Sequence, residues 1–242
     1  MHGLTKALFG RAPANSVMSE LHQFNAYLSG VDLAKYRQKY SRIKLVELDL
    51  DRDIQAIRHL YREYWEKRAN FANFEKFYQI YHCELSDKLE KFRKDKMFSK
   101  ETFYRGLPAR IYRTWASLLT QIQGGYVAEQ LYGRGNVEMS ADLDYAGIDM
   151  KFNTPDGVFD IQIKKETLSR EVRAPWQTTK RGKPIIMITY EVPGCDPLTS
   201  TGKPSVPFKR WKDKWAGKLD RLDNGFIVFA SDMFSLENIK TP

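Results

Sequence analysis

The stretch that decides the fold is GIDMKFNTPDGVFDIQIKK, residues 147–165. Its centre, TPDG (residues 154–157), has the composition of a tight turn. β-branched and apolar residues flank this turn on both sides, as they do in paired strands. The sequence therefore predicts a β-hairpin, with strands over Gly147–Phe152 and Gly157–Lys165.

Upstream of the hairpin, the chain reads as mainly helical. Apolar residues recur every three or four positions and prolines are few, which is typical of amphipathic helices. Asn73 has the residue type of an N-cap, and Gly124 with Gly125 is expected to end the last helix of this region. The predicted helices cover Val17–Tyr40 with a break at Gly30, Arg52–Arg68, Phe74–Asp95 and Phe103–Gln123.

Downstream of the hairpin, strands and a basic helix are predicted. The pattern gives a buried strand at Pro184–Tyr190, a helix at Phe208–Leu222 and a further strand at Gly225–Ala230. The expected fold class is α/β in the broad, mixed α+β sense: a helical N-terminal part followed by a mixed central sheet flanked by helices. The expected organisation is a flexible N-terminus (1–16), a helical region (17–125) and a C-terminal core (126–242), with the last two forming one compact unit.

Charge makes a polyanion the first partner to consider. The 242 residues carry 39 Lys and Arg against 30 Asp and Glu, a formal net charge of +9. Residues 164–218 hold thirteen of the basic residues and only five acidic ones, whereas residues 129–160 hold seven acidic and two basic residues. The chain thus separates an acidic segment, suited to a cation, from a basic segment, suited to nucleic acid.

Several classes of protein are disfavoured by the sequence. Its apolar runs are too short for a membrane span, and its first residues do not resemble a signal peptide, so we expect a cytoplasmic protein without membrane contact. Nucleotide-binding glycine motifs are missing, which predicts no nucleotide cofactor. The two cysteines and four histidines lack the spacing of a zinc site.

Three hairpin residues suggest phosphodiester chemistry. Asp149 lies near the start of one predicted strand, and Gln162 and Lys164 share a face of the next. A carboxylate can bind Mg²⁺ beside a phosphate, and an ammonium can stabilise the developing negative charge. The pattern resembles that of PD-(D/E)xK nucleases, with Gln162 in the place of the second acid. The spacing alone also fits a turn acid next to a surface lysine, but the nearby carboxylates of Glu138, Asp142 and Asp144 favour the metal site.

Five stretches resemble the TaqI restriction endonuclease family. They occur in family order over most of the chain, and the catalytic-strand stretch includes the glutamine in place of the acid. The stretches are IQIKKET (161–167), LAKYRQKY (33–40) followed by Ile43-Lys44, ARIYRT (109–114), LDYAGID (143–149) and NGFIVF (224–229).

The resemblance implies a homodimeric type II endonuclease that uses Mg²⁺ and cuts the double-stranded DNA palindrome TCGA between T and C. It implies a restriction-endonuclease-like PD-(D/E)xK core. Asp149 then becomes the metal-binding acid and Lys164 the catalytic lysine. Gln162 and the Ile163 carbonyl lie near the metal, and Glu138 and Asp144 are further metal ligands.

DNA contacts are expected from the basic segment, since phosphate contacts position a protein and base contacts give specificity. The residues predicted to contact DNA are Lys165, Arg170, Arg173, Lys180, Arg181, Lys183, Lys209 and Arg210. Two alternatives remain open at this point. One is a PD-(D/E)xK nuclease that repairs DNA or resolves junctions, and the other is a non-catalytic DNA-binding module.

Overall fold

The structure is a computed structural model that describes residues 14–43, 50–166, 176–178, 184–194, 197–203 and 205–239. It has a helical N-terminal half and a C-terminal half built around a mixed sheet, as predicted. The helices are α1 (Ala14–Ser29), α2 (Leu33–Tyr40), α3 (Ile57–Tyr61), α4 (Phe74–Asp95), α5 (Lys100–Tyr132), α6 (Ala141–Tyr145), α7 (Val206–Lys214) and α8 (Leu236–Ile239). Short 3₁₀ turns cover Arg52–Ile54 and Ser231–Phe234, and a π-helical turn covers Arg62–Glu66.

Local sequence signals set most helix boundaries. The predicted helix over Phe74–Asp95 is confirmed, and the Asn73 side chain accepts a hydrogen bond from the Lys76 N–H as its N-cap. Gly30 separates α1 from α2, also as predicted. The predicted helix over Arg52–Arg68 is broken, because extended backbone at Gln55 separates the first 3₁₀ turn from α3, which the π-helical turn then continues to Glu66.

The prediction that Gly124 and Gly125 end a helix is wrong. α5 runs through both glycines to Tyr132. A Cβ atom on Gly125 would lie 2.2 Å from the Met139 sulfur, and one on Gly124 would lie 2.9 Å from the Phe234 ring. These glycines therefore allow close packing of the second half of the molecule against α5.

The sheet has strand order β1-β2-β3-β5-β4, where the strands are β1 (Val137–Glu138), β2 (Met150–Thr154), β3 (Gly157–Glu166), β4 (Trp176–Thr178) and β5 (Pro184–Glu191). The predicted hairpin is confirmed, since β2 and β3 pair antiparallel with Met150 opposite Ile161. β3 and β5 pair in parallel, with Lys164 opposite Thr189. Their carboxyl ends therefore lie at the same edge of the sheet.

A second, two-stranded sheet is formed by β6 (Leu219–Arg221) and β7 (Ile227–Phe229). The predicted basic helix over Phe208–Leu222 is therefore too long: α7 ends at Lys214, because Leu219–Arg221 pairs with β7. The Gln123 side chain on α5 satisfies both backbone groups of Phe229, at 2.7 and 3.2 Å. These bonds fix the small sheet against the long helix.

The core joins the helices to one face of the main sheet. The aromatic residues of α3, the π-helical turn and α4 are packed inside it, among them Tyr61, Tyr64 and Phe77. On the sheet, Met150, Ile161 and Ile163 point into the same core. Among the helices that the structure describes, none combines the length and the apolar character of a membrane span.

Candidate active site

Asp149 lies at the point where β2 begins and is held against the neighbouring strand. Its backbone N–H donates to the Ile161 carbonyl at 2.9 Å, which continues the hairpin ladder by one residue. Its Oδ2 atom accepts a hydrogen bond from the Ile163 N–H at 2.6 Å. The residue is 7% exposed. One carboxylate oxygen is therefore fixed by β3.

Gln162 and Lys164 lie on the face of β3 opposite to the core. The buried side chains of Ile161 and Ile163 alternate with them, as the period of a strand requires. Gln162 is buried and Lys164 is half-buried. Burial raises the pKa of Asp149, and the positive charge of Lys164 opposes part of this rise. The structure thus brings these three predicted residues together at the end of the hairpin.

Asp149 is a buried carboxylate with few groups that stabilise its negative charge. Burial raises its pKa to about 7, and the negative charge of Asp144 acts in the same direction. The Ile163 N–H and Lys164 lower the pKa but do not offset the burial. A cation placed here would relieve the repulsion between the two carboxylates.

Asp144 is the second carboxylate of the site. It lies on α6, whose N-cap is Ser140, and burial raises its pKa while Tyr61 and Lys164 lower it. The Tyr61 hydroxyl donates to Asp144 Oδ2 at 3.4 Å. Tyr61 comes from α3, and no sequence signal links it to this site, because 83 positions separate it from Asp144.

Tyr190 at the end of β5 completes the surroundings. Burial and the negative charge of Asp149 raise its pKa to about 12. The site therefore draws on α3, α6, the hairpin and β5, which explains why no single segment of the sequence reveals it whole.

Comparison with known proteins identifies the chain's relatives. The family model described as TaqI restriction endonuclease matches residues 21–239. The chain belongs to the TaqI restriction endonuclease family. It is similar to type II restriction enzyme TaqI of Thermus aquaticus, with 34% identity over 226 residues, which cover 86% of this chain and 83% of the relative. It is also similar to type II restriction enzyme TthHB8I of Thermus thermophilus, with 32% identity over 232 residues, covering 90% of this chain and 87% of the relative.

This membership confirms the family resemblance of the five stretches and shows that the chain is a type II restriction endonuclease, a site-specific deoxyribonuclease. No solved structure matches the chain.

The remaining carboxylate predicted to bind the metal is that of Glu138. Glu138 is exposed on β1, where its carboxylate accepts from the Asn153 amide at 2.9 Å and lies 3.9 Å from Lys151. These contacts hold it on the outer strands of the sheet, and a role beside Asp149 stays a prediction.

The oxygen donors at Asp149 fit a divalent cation, which type II restriction enzymes generally use. A hard divalent cation binds through one or two carboxylates and keeps several waters, so the neighbouring side chains of Asp144 and Asp149 are the ones that would hold it. Within the described ranges, no group of three or more His, Cys, Asp or Glu side chains could hold a metal.

Of the residues predicted to contact DNA, three are described. Lys165, Lys209 and Arg210 are exposed. α7 is anchored by Trp211, which is buried and donates to the Glu191 carbonyl at 3.1 Å, so its basic residues Lys209 and Arg210 face solvent. Five predicted contacts lie outside the described residues: Arg170, Arg173, Lys180, Arg181 and Lys183.

Proposed function

We propose that this enzyme cuts double-stranded DNA at the palindrome TCGA, between T and C, in a Mg²⁺-dependent reaction. The observation that carries the chemistry is the meeting of Asp149 and Lys164 at the open end of the hairpin. The choice of TCGA is supported by the membership of the TaqI family.

In our proposal Asp149 binds the cation, and Lys164 stabilises the negative charge that develops on the phosphate. Asp149 presents its Oδ1 atom for cation binding, because Oδ2 is taken by the Ile163 N–H. When bound, the cation supplies Lewis-acid stabilisation of negative charge on the phosphate. Lys164 donates to the oxygen that gains charge, and it is half-buried, so this interaction is screened less than at an exposed site.

Asp144 acts with Asp149 in our proposal, while Gln162 and the Ile163 carbonyl complete the polar surroundings. Gln162 carries no charge, so it leaves the carboxylate pair as the main source of negative potential. Tyr61 orients Asp144 from the core side through its hydroxyl. The chain's own residues thus fix a cation, a phosphate and a lysine in one place.

Symmetry accounts for the palindrome. A homodimer that places two such sites about a two-fold axis reads one half-site and cuts one strand with each subunit. In our proposal the exposed basic residues Lys165, Lys209 and Arg210 hold the DNA backbone, together with the five basic residues outside the described ranges. The enzyme acts in the cytoplasm, where it reaches DNA without crossing a membrane.

The test uses a short duplex with a single TCGA and a matched duplex in which these four bases are TGCA. We expect one cut in each strand of the first duplex with Mg²⁺, none with EDTA, and no cut in the second. Cutting of a branched or flapped substrate with no cutting of the TCGA duplex would favour a repair or junction nuclease. Salt-dependent binding without cutting in Mg²⁺ would favour a non-catalytic module.

A further inference from the structure

Two arginines from distant parts of the chain converge over the turn between β6 and β7. A Cβ atom on Gly225 would lie 3.3 Å from Arg37 Nη1 and 3.4 Å from Arg221 Nη2. Gly225 has no Cβ atom, so both guanidinium groups can lie close to its backbone and to each other. Arg37 comes from α2 and Arg221 from the end of β6.

The turn that carries Gly225 is fixed in place. The Asn224 amide donates to the carbonyls of Leu28 and Val31 at 2.6 and 2.9 Å, where the chain leaves α1. Gly225 has a φ of +93°, a conformation that favours glycine. The convergence of the two arginines therefore rests on a rigid junction between the helical region and the small sheet.

Neither guanidinium has a carboxylate partner in the described ranges of the chain. The structure gives Arg37 no ion pair, and Arg221 lies over the Phe208 ring, with Cζ 5.7 Å from its centroid. Two like charges held side by side repel each other, and an anion between them removes the repulsion. Other arginines of the chain do pair with Asp or Glu: Arg58, Arg62, Arg68, Arg93 and Arg134.

The arginine pair is connected to the end of the sheet that carries the candidate active site. Phe208, under Arg221, lies in the first turn of α7 and stacks on Trp211, whose indole N–H donates to the Glu191 carbonyl. Glu191 ends β5 opposite Glu166, two residues beyond Lys164 on β3. Lys209 and Arg210 lie on the same helix and are exposed. These contacts link the arginine pair to α7 and its exposed basic residues.

We propose that Arg37 and Arg221 form a phosphate-binding site for the DNA backbone, separate from the residues that cut. Guanidinium groups bind phosphate oxygens in a forked, bidentate geometry, and two of them suit one phosphodiester or two successive ones. The proposal rests on the proposed function for its choice of DNA. It gives the helical N-terminal region a direct part in holding the substrate.

Binding of the TCGA duplex is measured by fluorescence anisotropy in EDTA over a series of sodium chloride concentrations. In the double variant Arg37→Gln and Arg221→Gln we expect affinity to fall by about tenfold or more. The slope of log affinity against log salt should become shallower by about 0.9 for each lost phosphate contact. The variant Lys91→Gln, which removes one exposed charge from α4, is the matched control and should change neither quantity.

A second variant guards against a folding defect. Arg37→Lys with Arg221→Lys keeps both charges, so its salt slope should equal that of the wild type, while affinity falls because the forked geometry is lost. An unchanged affinity and slope in the glutamine variant would overturn the proposal. A second result would also overturn the proposal. If inorganic phosphate protects the wild type but not the glutamine variant against heat, while the two bind DNA equally tightly, the site serves free phosphate.

The same samples separate this proposal from the proposed function. The glutamine variant should still cut TCGA at the same bond when the enzyme is in excess and Mg²⁺ is present. If the wild type binds DNA through these arginines but never cuts it, the phosphate site stands and the proposed function fails. If the wild type cuts and the glutamine variant binds as tightly, the phosphate site fails alone.

Discussion

Glu129 in the helical region and Asp149 at the hairpin are both almost fully buried, yet their partners differ. Both oxygens of Glu129 accept hydrogen bonds from the Arg68 guanidinium, at 2.7 and 2.9 Å. Burial lowers the pKa of Arg68, but the bonds to Glu129 outweigh it and the pKa is raised. Asp149 instead faces a second carboxylate, and burial raises its pKa to about 7.

Glu129 is therefore a carboxylate that stabilises the fold, whereas we expect Asp149 to bind a ligand. A buried charge without a full set of partners costs stability, and such groups concentrate at functional sites. Glu129 has its counter-charge inside the chain, so nothing further needs to bind there. Asp149 obtains its counter-charge from Lys164 only in part, and we expect a cation to supply the rest.

The largest expected effect is on cutting. Asp149→Asn should lower the Mg²⁺-dependent cutting rate by roughly a thousandfold or more, because it removes the carboxylate that holds the cation in our proposal. Lys164→Met should do the same. Single-turnover cleavage of a TCGA duplex measures the rate, and anisotropy in EDTA should show that DNA binding remains.

The matched control for this loss is Asp142→Asn, which removes an exposed carboxylate from the same short helix as Asp144. Its cutting rate should stay near that of the wild type. Loss of cutting in both variants to the same extent would show that the acidic segment acts through its overall charge, against our assignment.

Next in size is the effect of Glu129→Gln on folding. The substitution leaves the Arg68 guanidinium buried with only Glu20 as a charged partner. Breaking a buried ion pair of this kind costs roughly 3–5 kcal/mol of unfolding free energy, and Glu20 should keep the loss near the lower end. Urea denaturation measures it. The fragments produced at low temperature should be unchanged, and an altered cutting pattern would contradict a purely structural role.

Replacing the carboxylate of Asp149 by an amide should instead raise the free energy of unfolding above pH 7. Because its folded pKa is raised above the ordinary value of 3.8, the wild type loses stability as the pH rises from about 4 to about 7. Asp149→Asn lacks this loss, so it should match the wild type near pH 4 and exceed it above pH 7, by up to about 4 kcal/mol. Denaturation curves in EDTA at several pH values test this, and a variant less stable than the wild type above pH 7 would refute it.

The smallest effect belongs to Tyr61→Phe. Its hydrogen bond to Asp144 is long, at 3.4 Å, so we expect the Mg²⁺ concentration for half-maximal cutting to rise by less than about tenfold. Tyr81→Phe is the control, because this hydroxyl donates to the Ile54 carbonyl at 2.6 Å inside the core. It should lower stability without changing the Mg²⁺ requirement. Equal behaviour of the two variants would remove Tyr61 from the site.

Local patterns predicted the parts of this fold that local interactions decide. The hairpin follows from its turn residues and the helix at Phe74–Asp95 from its cap and apolar period, because each signal lies within a few residues of its effect. The prediction that Gly124 and Gly125 end a helix is wrong for the opposite reason. Their role depends on Phe234 and Met139, which reach α5 only in the folded chain.

The candidate site shows the same division. Asp149, Gln162 and Lys164 are visible in the sequence, since one hairpin brings them together. Tyr61 and Tyr190 are not, because tertiary packing delivers them from α3 and β5. The Arg68–Glu129 ion pair, with 61 positions between its partners, is equally hidden. The residues on the strand pair could thus be predicted from the sequence, but the residues that surround them in the folded chain could not.

The most direct test of the central claim is to digest plasmid DNA with the wild-type enzyme in Mg²⁺ and to sequence every fragment end. We predict that all ends arise from TCGA cut between T and C, and that Asp149→Asn yields none. Ends scattered over unrelated sequences, or the same fragments from Asp149→Asn, would contradict the account.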